Sequence, residues 1–331
     1  MSKRLKKSVL LAMLTALIAI LAACSASGKE NEKVVLYSNG DEEAVAAMES
    51  SLDEAGYEGE YVIQSLGTSE LGGKLLAEGA KMEADLVTMS SYFVESAQEQ
   101  SDMFSNITVE SEPLKNHPSY YAPLISNTGA IFVNTKMLEE KGLKIPMSIK
   151  DLTQPEFKGL VSIPDLNHSS TGWLLVQAII SEYGETEGKA VLSKLIENVG
   201  PHLERSGSGS IKKVKAGEAA VGFGLRHQAI QAKESGLPID YVDPEEGNFS
   251  LTESIAVVDK DSKKTDLAME MARVIVKDAR EELIKYYPVP LYKDETVGGE
   301  NIPSHPKEFS EPLTVELLKQ HQDFFNAAIH Q

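Results

Sequence analysis

Small hydroxyl and amide side chains gather in this chain where an apolar run gives way to a helical pattern. Such places suit the binding of small anions. The stretch Pro164-Asp165-Leu166-Asn167-His168-Ser169-Ser170-Thr171-Gly172-Trp173 is the fullest example. A buried-type strand over 160–163 leads into it and an apolar-periodic helix over 173–180 leaves it, so the polar residues sit at a helix mouth. Free N–H groups and the positive end of the helix dipole favour an anion there, and Ser169, Ser170 and Thr171 add donors beside Gly172. Plain N-capping, with no ligand, uses the same residue types.

Two further places carry related chemistry. Ser206-Gly207-Ser208-Gly209-Ser210 precedes a helix containing Ile211 and Val214. A flexible linker is the ordinary use of such a run, but directly before a periodic helix a nest of backbone amides competes with it, with Ser208 as hydroxyl donor. A strand over 219–225 ends in Arg226-His227-Gln228. A guanidinium at a buried strand end needs an anionic partner, either a ligand's oxygen pair or a structural carboxylate, and His227 is placed to donate beside it.

The elements that must position these groups repeat one unit: strand, polar turn, helix. Apolar runs over 34–37, 61–64 and 86–89 predict buried strands, closing on Ser38-Asn39-Gly40-Asp41, Gly67-Thr68-Ser69-Glu70 and Ser90-Ser91. Open α/β sheets hold ligands at the carboxyl ends of their strands, so Ser38, Asn39, Thr68, Ser69, Ser90 and Ser91 are expected at one crevice, with local capping as the competing use of each. A long strand over 126–134 reads as a connection between lobes, and a strand over 255–258, introduced by Leu251-Thr252-Glu253-Ser254, reads as the return crossing. Long amphipathic patterns predict helices over 267–286 and 315–329.

Composition narrows the setting. Lys3, Arg4, Lys6 and Lys7, an apolar run over 9–20, and Leu21-Ala22-Ala23-Cys24 form a signal pattern that ends at the chain's single cysteine. The pattern resembles a bacterial lipoprotein signal (residues 1–23), with Cys24 the lipid-bearing residue and 24–32 a tether. One cysteine excludes internal disulfides and Cys-rich metal sites. The formal charge of −18 becomes −22 without the four basic signal residues, which argues against nucleic acid or an anionic membrane surface as partner. An anionic ligand must then be held by a locally organised site.

The ordered set Tyr37-Ser38, Gly67-Thr68-Ser69-Glu70, Ala130 to Asn134, Ser170-Thr171-Gly172, Gly217-Glu218-Ala219-Ala220-Val221-Gly222, Pro244-Glu245-Glu246-Gly247 and Tyr287-Pro288-Val289-Pro290 is similar to the extracellular solute-binding lipoproteins of ABC importers. The resemblance is to the type II periplasmic-binding class, in the branch with ferric-ion, 2-aminoethylphosphonate and sugar-phosphate binders. It implies an α/β, two-lobed fold with a cleft between two open, mostly parallel sheets. Lobe 1 is expected over 33–125 and 255–331, lobe 2 over 126–254, with crossings near 125–134 and 245–256. It also implies a monomeric receptor outside the cytoplasm that closes on a small anionic ligand and is read by a membrane permease, without cofactor or metal.

Ferric members carry adjacent tyrosines after a segment equivalent to 221–227, where this chain has Arg226-His227-Gln228-Ala229. That departure counts against iron and favours a phosphoryl group. A buried carboxylate near a phosphoryl site is unfavourable unless something positive lies between them, so Glu253 or Asp41 is expected to meet an ammonium or hydroxyl group of the ligand. An aminoalkylphosphonate supplies the first and a sugar phosphate the second. A secreted phosphatase or esterase is the rival from another class. The chain has no Gly-x-Ser-x-Gly or His-Glu-x-x-His motif, and its seven histidines are dispersed.

Overall fold

The structure is a computed structural model that describes residues 33–260 and 263–329. The expected signal, the tether and Cys24 lie outside the described residues. From the N-terminus the chain forms β1 (Val34–Ser38), α1 (Glu42–Glu54), β2 (Tyr61–Ser65), α2 (Thr68–Glu78), β3 (Leu86–Ser90) and α3 (Ser91–Ser101). The repeated strand-turn-helix unit is therefore present three times. The third helix is one that the sequence pattern left unassigned. β1 lies between β2 and β3, parallel to both.

After the two-residue β4 (Phe104–Ser105) comes the long β5 (Ala122–Asn134). The second half follows as α4 (Thr135–Lys141), β6 (Val161–Pro164), α5 (Thr171–Val199), β7 (Leu203–Glu204), α6 (Gly209–Lys215), β8 (Val221–Leu225), α7 (Arg226–Glu234) and β9 (Ile239–Val242). β6 pairs in parallel with β7 and β8. α5 is interrupted at Gly184, whose φ of 65° is outside the helical region, so two helical segments meet there at a kink, the first beginning with the helix expected over 173–180. β10 (Ser250–Val258), α8 (Lys263–Val274), a π-helical turn over Ile275–Ala279, α9 (Arg280–Tyr286) and α10 (Val315–Ile329) complete the chain.

The strand order is β2-β1-β3-β10-β5-β8-β6-β7. Two parallel runs, one per lobe, are thus joined through the antiparallel pair β10 and β5. β3 and β8, inside the sheet, are buried at every position, mostly by apolar residues, with Thr88 and Ser90 of β3 as buried polar exceptions. In β5 the first half pairs with β10 and the second with β8 and β9, so one strand serves both lobes.

β10 carries a register shift between Glu253 and Ser254, opposite Ile125 and Pro123. Pro123 has no N–H for the ladder, and a bulge is the usual local answer. The carbonyls freed there are used: Arg280 Nη1 donates to Leu124 O at 3.1 Å and Tyr292 Oη to Pro123 O at 2.7 Å.

One apolar cluster spans α2, α3, the second half of β5, α5 and α10, and another lies under α1 and α8. Trp173 is fully buried in the first, and its Nε1–H donates to His321 Nδ1 at 2.6 Å. It is a core residue at the helix mouth. α10, drawn with lobe 1 in the sequence-based division, places Phe325 and Leu318 in the cluster shared with α5, because its apolar stripe has its main partner there.

Candidate ligand-binding site

The ends of β1, β2, β7 and β8, the middle of β5 and of β10, and the starts of α2 and α5 line a cavity of ≈ 210 Å³. Asn39, Thr68, Ser169, Ser170, Thr171, Ser208 and Glu253 all line it, as expected for strand-end and helix-mouth residues. Contacts bridge it at the lips. Ser69 Oγ donates to Asn167 O at 2.7 Å, Gln228 Nε2 donates to Asp41 Oδ2 at 3.3 Å, and the His227 and Tyr287 rings lie 4.5 Å apart.

One wall is built to donate. Gly67 begins α2 without a side-chain cap, so the first N–H groups of that helix remain open at the cavity. The N–H groups of Ser206, Gly207 and Ser208 likewise have no protein acceptor among the described residues. The hydroxyls of Ser170, Thr171, Ser206 and Ser208 stand beside them. Arg205 lines the same wall, is exposed, and has neither an ion pair nor a hydrogen bond among the described residues.

The mouth of α5 differs from expectation. Its N–H groups are largely spent on its own loop: Thr171 N donates to Ser169 Oγ, Gly172 N to Ser169 O and Trp173 N to Ser170 O. What this mouth offers is hydroxyls and the helix dipole. Gly172 does not line the cavity. A Cβ there would fall 2.7 Å from Leu166 N, so this glycine lets the helix start pack against the incoming loop.

The other wall accepts. Glu253, aimed inward at the bulge, is 7% exposed, and Asn39 Nδ2 donates to its Oε1 at 3.2 Å. Burial, reinforced by the nearby Asp41 charge, pushes its carboxyl up to about 7 against the pull of bonds from Asn39 and Asn127. Asp41 caps α1 through Ala44 N and accepts from Tyr287 Oη. The amide oxygens of Asn39 and Asn127, both lining residues, are buried without a hydrogen-bond partner. Two acceptors with no donor to meet them, beside two carboxyl groups, suit an ammonium or hydroxyl group.

The remaining candidates lie elsewhere. Ser38 Oγ accepts from Thr88 Oγ1 and Gly40 N and shapes the turn after β1. Ser90 is fully buried, and Ser91 Oγ bonds Thr252 O and Ser254 Oγ. Arg226, expected at the ligand, is held in a buried ion pair: Nε and Nη2 reach Asp243 at 2.7 and 3.2 Å, and Nη1 reaches Glu300 O. The strand end is where α7 begins, which turns the guanidinium away from the cavity. His227 lies one layer behind Tyr287, and burial depresses its pKa to about 4, so it is neutral.

Arg205, Asn127 and Tyr287 are among the lining residues to which the sequence analysis assigns no ligand role. Arg205 follows a strand of only two residues, too short to show an apolar run. The strand-end argument applied to Arg226 fits it equally well. Among the described residues no group of three His, Cys, Asp or Glu is placed to hold a metal ion.

Solved structures with this architecture include the periplasmic binding protein P5PA, with a TM-score of 0.72 at 19% identity over 90% of this chain and 98% of that one. Another is the periplasmic binding protein AfuA from Actinobacillus pleuropneumoniae with fructose-6-phosphate bound, with a TM-score of 0.68 at 20% identity over 90% and 97%. In sequence, the spermidine/putrescine-binding periplasmic protein of Escherichia coli strain K12 is 25% identical over 191 residues, 52% of this chain and 53% of that protein. The chain spans about half or less of the length of the curated relatives it matches. The family model described as bacterial extracellular solute-binding protein matches residues 83–304 of the 331. With that match across more than half of its length, the chain belongs to the bacterial extracellular solute-binding protein family.

Proposed function

We propose that this protein is the receptor of an ABC importer, held outside the cytoplasm by a lipid on Cys24, and that it captures a small phosphoryl-bearing organic anion with an ammonium group, of the 2-aminoethylphosphonate type. It works as a monomer and by hinge closure, without catalysis. Residues 33–125 with 255–314 move against 126–254 with α10, the β5/β10 pair bends between them, and a membrane permease reads the closed form.

One observation carries this reading: the cavity is bipolar. Open amides, four hydroxyls and the free Arg205 form one pole; Glu253, Asp41 and two orphaned amide oxygens form the other. A phosphonate oxyanion satisfies the first and an ammonium the second, and the ligand's own positive charge separates the phosphoryl group from Glu253. A diamine of the kind named for the Escherichia coli relative would leave the donor wall unmet. A ferric ion needs hard anionic oxygens, whereas burial and Asp41 hold the Tyr287 phenol protonated.

A sugar phosphate is the second reading, favoured by the fructose-6-phosphate bound to AfuA. There the acceptor pole would meet hydroxyls. Thermal denaturation with 2-aminoethylphosphonate, fructose 6-phosphate, putrescine and ferric ion tests these readings. At 100 times its dissociation constant a ligand stabilises by about 2.7 kcal/mol. Saturable stabilisation by the aminophosphonate, without release of phosphate from a phosphomonoester, is the expected result. Response only to putrescine or iron would overturn it.

A further inference from the structure

A second cavity, of ≈ 550 Å³, lies on the opposite face of the same two crossing strands. In the ladder Glu253 opposes Ile125 and Thr252 opposes Ser126, and side chains alternate faces along each strand. Ile125, Asn127 and Glu253 accordingly line the ligand cavity, while Ser126, Ser250 and Thr252 line the second one. The two cavities share no lining residue, yet β5 and β10 form a wall of each.

The lining indicates what it would take. Pro290, Leu291, Phe309 and Leu313 give an apolar surface, and the volume is in the range of about 300–1,000 Å³ common for small-molecule sites. The hydroxyls of Ser126 and Thr252 have no hydrogen-bond partner among the described residues. Tyr92, 2% exposed, lines the same space, and its Oη and the neighbouring Ser90 Oγ are buried without a well-directed bond. The rim lysines are already committed, Lys115 to Glu308 and Lys307 to Glu182. Of the charged lining residues only Glu311, exposed at the rim, has no ion-pair partner among the described residues; the inner wall of free hydroxyls and apolar groups suits an uncharged guest.

We propose that this cavity is a second binding site, for a small, uncharged, mainly apolar molecule carrying a hydroxyl or carbonyl oxygen, and that its occupant alters closure of the ligand cleft. The coupling runs through the shared strands and through Tyr92, whose ring meets Trp173 edge-on at 5.0 Å and which feels the Glu253 charge. The second half rests on the hinge-closure reading above; the first half does not.

Cyclohexanol titrated into the full chain, followed by saturation-transfer NMR, tests the site without knowledge of the transported ligand. Saturable binding is expected. Ser126→Leu, which fills the cavity, should weaken it at least about tenfold, and Thr252→Val, nearly isosteric, severalfold at unchanged melting temperature. Absence of saturable binding, or binding that survives Thr252→Val undiminished, overturns the site. For the coupling, hydrogen exchange of peptides over 66–70 and 206–208, both at the ligand cavity, should change at least about twofold with cyclohexanol bound. Unaltered exchange with the cavity occupied would reject the coupling and leave the site standing.

Discussion

Asn39 Nδ2 donates to Glu253 Oε1 at 3.2 Å, tying the loop after β1 to the position of β10 beside the register shift and leaving the Asn39 amide oxygen buried without a donor. The bond fixes which way the amide faces, since its reversal would set two acceptors against each other. A carboxyl that titrates near pH 7 beside two unmet acceptors is a site that gains from a cation.

That gain should appear as proton release. An ammonium placed beside Glu253 favours the ionised form, so binding below pH 7 expels the proton the empty site holds. At pH 6 the carboxyl contributes about 0.9 proton and at pH 8.5 almost none. Calorimetry of 2-aminoethylphosphonate binding in buffers of different ionisation enthalpy measures this. The difference between wild type and Glu253→Gln isolates the carboxyl from the ligand's own titration. Equal release by both proteins would separate Glu253 from the ammonium.

The same carboxyl shapes the stability of the unliganded protein. Its folded pKa lies above the ordinary value of 4.5, so its contribution is fully present below about pH 4.5 and is lost as pH rises through 7. His227 works in the opposite direction: depressed from 6.5 to about 4, it contributes above pH 6.5 and loses that as pH falls through 4. Glu253→Gln should therefore be more stable than wild type at pH 8, by something on the order of 3 kcal/mol at most, and no more stable at pH 4. Urea denaturation at the two pH values checks the sign.

Arg205 should matter for binding and not for folding. It is exposed and has no protein partner, so Arg205→Ala removes a charge-assisted bond to the ligand and nothing else. Such bonds are worth about 1.5–3 kcal/mol, or roughly a ten- to hundredfold loss of affinity, with the melting temperature of the free protein unchanged. A phosphoryl ligand bound equally well by the variant would place the oxyanion at another part of the wall.

How far the sequence exposed these features depended on the scale of the signal. The apolar runs of β1 and β3 were legible because burial on both faces demands continuous hydrophobicity over several residues, whereas β2, expected to be buried, is an edge strand with no buried residue. β5 was legible nearly in full as a long strand over 126–134, whereas of β10 only the apolar run 255–258 stood out and its polar first half did not. The cavity was harder, because whether a helix-mouth amide is open depends on tertiary detail. The α5 mouth, richest in hydroxyls, closes its amides on Ser169 and Ser170, whereas the plainer Gly67-Thr68 mouth leaves them free. Arg226 and Arg205 both end strands, and only the fold shows that Asp243 claims the first. The register shift beside Glu253 lies opposite Pro123 to Ile125, more than a hundred residues away in the chain.

Gly207 gives a steric test of the donor wall. A Cβ at this position would overlap Thr171 Oγ1 and come within 3.5 Å of Ser169 Oγ, so the two hydroxyl-rich segments can approach only with glycine there. Gly207→Ala should push the 206–208 amides away from Thr171 and lower affinity for a phosphoryl ligand about tenfold or more, the cost of misplacing several bonds at once. Circular dichroism should be that of wild type. Unimpaired binding by this variant would take these amides out of the oxyanion site.

Arg226 offers the opposite pattern. Its guanidinium bonds both Asp243 oxygens, and Asp243 also accepts from Asn248 Nδ2 and Ser304 N. Burial alone would raise the Asp243 pKa, but the bonds from Arg226 and Ser304 outweigh it and hold the carboxylate ionised. Removing the cation leaves a buried charge with neutral donors only, which costs about 3–5 kcal/mol. Arg226→Met should therefore lower the urea midpoint sharply, while the fraction that remains folded binds ligand with near wild-type affinity. Adding Asp243→Asn removes the stranded charge and should restore much of the loss, because the amide oxygen can still accept from Ser304. An Arg226→Met protein of normal stability with severely weakened binding would return this arginine to the ligand, and with it the oxyanion pole to the α7 side of the cleft.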